Sequence, residues 1–569
     1  MSKPEKEKSQ GSRTKYIAAA VIIIILIVAI GAYVRTQQTT TSSTMSSSTM
    51  SSSASSAAAA SGTLSITFAN VPVADPAKGS DEASVSALVN LYDSLVFPTS
   101  AGTLQPDLAT SWQVSPDGLT YTFTIRQGVT FHNGDPLTAS DVVFSMNRII
   151  TVGQGFSYLF SPYIGNVTAP NSSTVVMVLK KPFGPFLTAL VRLYVLDQKL
   201  VTANIASGPY GSNGDYGSTW LLTHDAGSGP YSIQSANLEA SMTFQEYTNY
   251  WNGTLPNQPS TVQIIGSTSS TQALFSSKET QITDMWQPYS TIASVAQLPG
   301  AKMVIIPSVD EFYLMIDTKK APTDDLYVRE AMTYAFNYTA VINNIFTGSQ
   351  PAAGPVPVSL PGHDPNIPVS HQDLALAKQL IAKSKYAGQL SNYPVVYYWV
   401  SQVPAEQKMA LQFASDMHQI GITVQVVEEP WLTVVADLAN MTSSPNIVSI
   451  EDEASYFEAG SILQSRYTSA ADGTWEQNEW LQNSTLDNLI YSALSTTDQT
   501  ARFNAYYNIQ EQIYNMYPTI YAFDAYEVRA YYPSVVNWYA ANGHPIVLLG
   551  YDFYFRDFQF YPSQLAALG

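Results

Sequence analysis

The sequence predicts a multi-lobed α/β protein. Three observations carry that expectation: the length, the interleaving of helical and strand periodicities, and the lack of an internal repeat. At 569 residues the chain has room for about three or four domains of about 150 residues each. Hydrophobic residues make up 45% of it, which is ample for packed cores, while charged residues make up only 12%, against about 25% in an ordinary soluble protein.

Taken in order, the first element is an apolar segment. Tyr16 to Val34 is 19 residues without a charge, preceded by Lys3, Lys6, Lys8, Arg13 and Lys15. That is close to the ~20 residues needed to span a bilayer and longer than the ~7–15 of a usual signal peptide, so 16–34 is expected to be an uncleaved membrane anchor, with a signal segment as the alternative. The lysine-rich tail 1–15 stays cytoplasmic, so everything after Arg35 lies outside. Residues 35–62 form a linker: Thr36 to Ser61 holds 17 Ser or Thr in 26 residues with no charge and no apolar face. Such a stalk is open to O-glycosylation, and Asn166, Asn171, Asn252, Asn337, Asn440 and Asn483 stand in N-glycosylation sequons.

From Thr63 onward the pattern is folded. Leu64, Ile66 and Phe68 alternate as a strand, a Pro-containing loop follows from Val71 to Pro76, and an apolar helix is predicted around Val85 to Leu95. Ser111 to Val114 and Leu119 to Ile125 flank Asp117-Gly118 as a hairpin. Thr138-x-x-Asp141 then stands where a capping box starts a helix. Helical spacing recurs at 325–336, 373–381, 405–420 and 502–517, with Gly421 and Pro518 as stops, and Ile422, Val424 and Val426 alternate as a strand.

Composition excludes whole classes of function. Lys and Arg number 26 against 44 Asp and Glu, a net charge of -18 that repels a phosphate backbone. Residues 1–35 carry six Lys or Arg and two Glu, a net +4, which leaves -22 on the exterior part. A surface built largely of uncharged polar groups is compatible with an acidic habitat. Zero cysteines remove disulfides, thiolate metal sites and lipid-anchored cysteines together. Gly-x-Ser-x-Gly, His-Glu-x-x-His and the Gly-Lys-Ser/Thr phosphate loop do not occur, and the six histidines lack metal-ligand spacing. The chain is therefore expected not to be an enzyme and to hold no cofactor.

The strings PDLATSW (Pro106 to Trp112), SPDGLTYTFTIRQGVTFHNGDPLTASDVVFS (Ser115 to Ser145) and GSGPY (Gly227 to Tyr231) resemble the family 5 extracellular solute-binding proteins. So do NYWNG (Asn249 to Gly253), VREAMTYAFN (Val328 to Asn337), PAAGPVP (Pro351 to Pro357), DLALAKQLI (Asp373 to Ile381) and IGITVQV (Ile420 to Val426), in the same order. That family serves ABC importers of oligopeptides, dipeptides, nickel and, in some archaea and thermophiles, oligosaccharides. The resemblance implies a two-lobed periplasmic-binding-protein-like fold of class II that closes on a hinge. Lobe I would be 63–98, 223–307 and 531–569, with an extra domain at 99–222, and lobe II would be 308–530.

On that reading the partners are a small solute and ABC permease subunits in the membrane, with no nucleic acid, and the receptor is a monomer. The cleft is expected near Val71 to Pro76, Trp286, Trp399, Trp431 and the segment Ile450 to Gly460. Peptide-binding members use an Asp in an Asp-Tyr-x-Asp-Pro-like loop to pair with the ligand's amino terminus. Here Ile450 to Tyr456 keeps acid groups but lacks the Asp-Pro, so Asp452, or Glu451 beside it, and Tyr456 are the expected counterparts. Peptides are the leading solute. Oligosaccharides, which stack on tryptophan and need few charges, are the alternative. An adhesion or surface-layer protein is a more distant one.

Overall fold

The computed structural model describes residues 62–267 and 269–568. The expected tail, anchor and most of the linker lie outside these residues; among the described residues no helix is long and apolar enough to cross a membrane.

The alternating strand predicted at Leu64 to Phe68 forms over Thr63–Phe68 and pairs in parallel with Thr261–Gly266. Ser241–Glu246 and Tyr231–Asn237 extend the sheet antiparallel. Leu64, Ile66 and Phe68 are all buried, and burying each such side chain contributes about 1.5–3 kcal/mol. The helix predicted near Val85 starts earlier, at Glu82–Leu91, because the Asp81 side chain accepts the Ser84 amide at 3.1 Å and caps it. The loop before it is pinned by a buried bidentate pair in which Arg148 donates to both Asp75 oxygens at 2.6 and 2.8 Å.

The hairpin forms as Ala109–Val114 and Thr120–Ile125, turning at Gly118 with φ 68°, and Tyr121, Phe123 and Ile125 point inward. It belongs to a second four-stranded sheet, completed by Thr174–Leu179 and Ile164–Asn171. Helix Ala139–Val152 follows, with the Thr138 amide donating to Asp141 Oδ2 at 2.8 Å, the capping box read from the sequence.

A five-stranded sheet runs in the order Val424–Glu429, Val395–Val400, Ile447–Glu453, Lys302–Ile316, Thr519–Tyr531. Its first three strands are parallel and its last two antiparallel. Helices Leu326–Ala335, Leu374–Lys383, Pro404–His418 and Gln499–Met516 form where apolar spacing placed them. The third ends at Gly421 (φ 86°) and the fourth at Tyr517 in the left-handed region before Pro518.

The two longest strands join the first sheet to this one. Lys302 to Pro307 pair with Tyr531 to Tyr526, and Tyr531 bridges through Ile282 to Ile66 of the first sheet. After a register shift between Pro307 and Glu311, the remainder pairs within the five-stranded sheet. The shift leaves Ser308 to Asp310 out of the Lys302–Ile316/Thr519–Tyr531 ladder, although Asp310 still pairs with Glu453 on the other side. Phe312, Leu314 and Ile316 face one core, while Tyr313 and Met315 face another on the opposite side of the sheet. Residues from Ala454 to Ile513 pack instead into the first core; Tyr456 meets Phe183 edge-on at 6.1 Å, and the Gly184 amide donates to Leu494 O at 2.7 Å.

Candidate functional site

Parallel strands of the two sheets end at Phe68, Gly266, Val400, Glu429 and Glu453. The carboxyl ends of parallel strands are where open α/β sheets take ligands. Six carboxyl groups gather at this level: Glu82 from the first turn of its helix, Asp310 from the shifted segment, Glu451 and Glu453 from the strand end, Glu527 from Thr519–Tyr531, and Asp552 from a single helical turn. Glu82, Glu451, Glu453 and Glu527 are half-buried and Asp310 and Asp552 are buried. Glu451 borders a partly open pocket, about 530 Å³ including solvent at its mouth, whose other walls include Trp286, Phe346, Val403, Phe523 and Tyr526.

One guanidinium serves this cluster directly. Arg529 is fully buried, ion-paired to Glu82, hydrogen-bonded to Glu527 at 2.8 Å and to Thr283 O at 2.9 Å, and lies 4.7 Å from the Phe553 ring. Burial pushes Glu82 up to about 7 against the pull of Arg529, and burial together with Glu527 pushes Asp310 up to about 8. Burial, then Asp310, raise Glu451 and Glu453 well above the carboxylate range, and burial, then Glu527, do the same for Asp552. Arg192 approaches Glu453, but its Nε and Nη1 donate to Ser455 O and Leu549 O at 2.8 and 3.0 Å.

The structure brings Trp286 and Glu451 to one cavity, and the Trp286 indole donates to Glu82 Oε2 at 3.1 Å. Trp431 opens helix Trp431–Leu438, half-buried, with Trp475 across it at 5.5 Å; both rim the third core together with Trp286 and Tyr398. Trp399 is 5% exposed and packs in the core of the five-stranded sheet, and Tyr456 is fully buried against Phe183. Asp452 points to the opposite face from Glu451 and Glu453, where Arg466 donates to its Oδ2 at 3.0 Å and to Glu311 Oε2 at 2.5 Å. Sequence reading missed Glu82, Asp310, Glu527, Arg529 and Asp552. The available signal was scarcity: with so few charged residues, an Asp-Glu pair inside the apolar run Met303 to Ile316 asks for a reason.

Two sheets are joined by long strands, and a largely apolar pocket with Glu451 on its wall lies at their strand ends. The family described as bacterial extracellular solute-binding proteins, family 5 Middle, matches residues 103–473, and the chain belongs to it. It is similar to a probable D,D-dipeptide-binding periplasmic protein of Escherichia coli strain K12, 26% identical over 433 residues, 74% of this chain and 79% of that protein. It is also similar to a dipeptide-binding protein of the same organism, 28% identical over 374 residues, 60% of this chain and 67% of the relative. Among solved structures it shares its fold with a Helicobacter pylori ABC transporter-associated periplasmic binding protein in complex with the peptide STSA. That match has a TM-score of 0.75 and 22% identity, covering 88% of this chain and 98% of the other. The chain is therefore a family 5 solute-binding protein with a periplasmic-binding-protein-like α/β fold, a family of transport receptors rather than enzymes.

Proposed function

We propose that this protein captures a peptide or peptide-like solute bearing a cationic amino terminus between two lobes and hands it to an ABC importer, while tethered by its N-terminal segment. The lobes would be 63–98, 223–307 and 531–569 on one side and 308–530 on the other, with 99–222 as the extra domain. The Pro307 to Glu311 shift supports a hinge there, since interrupted pairing is where two long strands bend most easily.

The observation that carries the reading is the surplus of carboxyl groups at the strand ends, six against Arg529 and the neighbouring Arg192, with Glu451 on the pocket wall. An uncharged oligosaccharide would leave that surplus unmatched when the lobes close, whereas an ammonium group matches part of it. A thermal-shift screen of peptides and oligosaccharides tests this: a solute at 100 times its Kd stabilises by about 2.7 kcal/mol. Shifts with oligosaccharides and none with peptides would reverse the choice.

A further inference from the structure

We infer that the solute carries at least two positive charges, as primary amines or guanidinium groups, placed so that they reach Asp310, Glu453 and Glu451 together. The inference rests on the receptor reading above and narrows its solute.

Asp310 and Glu453 stand directly opposite each other in antiparallel register. Like charges in that position repel. The next pair along, Glu311 opposite Asp452, has the same problem and a built-in answer, because Arg466 hydrogen-bonds to both carboxylates. Asp310 and Glu453 have no such cation: among the described residues no Lys or Arg forms an ion pair with Asp310, Glu451, Glu453 or Asp552. Arg529 is committed to Glu82 and Glu527 and also acts on Asp552; Arg192 donates its Nε and Nη1 to two carbonyls, keeps a buried Nη2 without a hydrogen-bond partner, and acts on Glu453.

A second observation points the same way. Asp552, 5% exposed, has its Oδ2 without a hydrogen-bond partner, and this residue is one of those that act on Glu453. A buried carboxylate oxygen left without a donor marks a place where one is to be supplied. With Arg192 acting on Glu453 and Arg529 on Asp552, Asp310 and Glu451 are the two carboxyls that no cation among the described residues serves, and a single amino terminus answers only one of them. The cavity walls Trp286, Phe346, Phe523 and Tyr526 suit the alkyl stems of lysine-like groups and the faces of their cations.

The test is calorimetry on the full-length protein at pH 7 with tri-lysine, tri-alanine and spermidine. Tri-lysine is expected to bind about 100-fold more tightly than tri-alanine, since each unmatched buried charge is costly to leave behind. Spermidine binding as well as tri-lysine would support the inference and assign the amines to a free polyamine instead of a peptide. Equal affinity for tri-lysine and tri-alanine would overturn the inference and leave the peptide reading standing; failure of all three to bind would remove both. Glu453→Gln checks the site: it should weaken tri-lysine by about tenfold more than it weakens tri-alanine. An equal loss for both peptides would count against the charge role.

Discussion

Two neighbouring pairs of acids on the same two strands have opposite fates, and the difference separates architecture from binding. Glu311 and Asp452 face one side of the sheet and Asp310 and Glu453 the other, one residue away. The first pair shares Arg466, which donates at 2.5 and 3.0 Å and has its Cζ 4.0 Å from the centre of the Tyr313 ring. That pair has a cation within the chain, although burial still pushes Glu311 up to about 8 and its Oε1 has no hydrogen-bond partner. The second pair is unmatched and adjoins half-buried glutamates at a cavity. Burial and the neighbouring acids push both carboxyls up, which favours their protonated forms in the fold, and a cationic solute would replace those protons.

The largest expected effect comes from breaking the matched pair. Arg466→Met strands Glu311 and Asp452 in the interior, and losing one partner of a buried ionic group costs about 3–5 kcal/mol. Denaturant unfolding should show that loss. A variant as stable as the parent would mean that the two acids simply protonate and Arg466 is dispensable. Asp452→Asn should likewise act first on stability, because Asp452 already has its cation.

Relieving the unmatched pair should do the reverse. Asp310→Asn or Glu453→Gln removes one of two facing acids and is expected to raise the stability of the empty protein by up to about 1 kcal/mol above about pH 8, where the pair ionises. Lower stability in both variants would show that the carboxyls are structural. The pH dependence has the same origin. Glu82 at about 7 and Asp310 at about 8 lie above their ordinary 4.5 and 3.8, so between those limits the folded chain holds protons that the unfolded chain has released. Their contribution is fully present below about pH 4 and is lost as pH rises towards about 8. The Tm of the empty protein should therefore be higher at pH 5 than at pH 8. Saturating tri-lysine should flatten that slope, and calorimetry in buffers of different ionisation heat should detect the protons released.

The fold was largely legible because its signals are local. The alternation at Leu64 to Phe68, the Asp117-Gly118 turn and the Thr138–Asp141 box each specify their own neighbourhood, and each forms as read. The site was less legible because its acids come from four separate stretches of chain, near 82, 310, 451–453 and 527–552, which only the long crossing strands bring together. Sequence could place Asp452 and Glu451 in one acidic run but could not tell which faced the cavity. That followed from the antiparallel register with Asp310 and Glu311. Trp399 shows the same limit: an aromatic residue near a strand end reads as a platform, and the helix packing over it makes it core.

The smallest expected effect belongs to Trp286, where the aromatic wall meets the acid cluster. Its indole N–H donates to Glu82 Oε2, while Arg529 holds the other oxygen of the same carboxylate. Trp286→Phe keeps an aromatic face at the cavity and removes only that donor. Glu82 is half-buried and retains its guanidinium, so water can take the vacated position and the loss should be that of one hydrogen bond, about 0.5–1.5 kcal/mol. In tri-lysine affinity that is a fall of roughly threefold to tenfold. Trp286→Ala also strips the wall, and a cation over an aromatic face is worth a further ~0.5–2 kcal/mol, so alanine should cost clearly more than phenylalanine. If calorimetry finds the two substitutions equally damaging, the indole N–H and its hold on Glu82 matter and the ring face does not. If neither changes affinity, the solute lies away from Trp286, on the Asp310 and Glu453 side of the cluster.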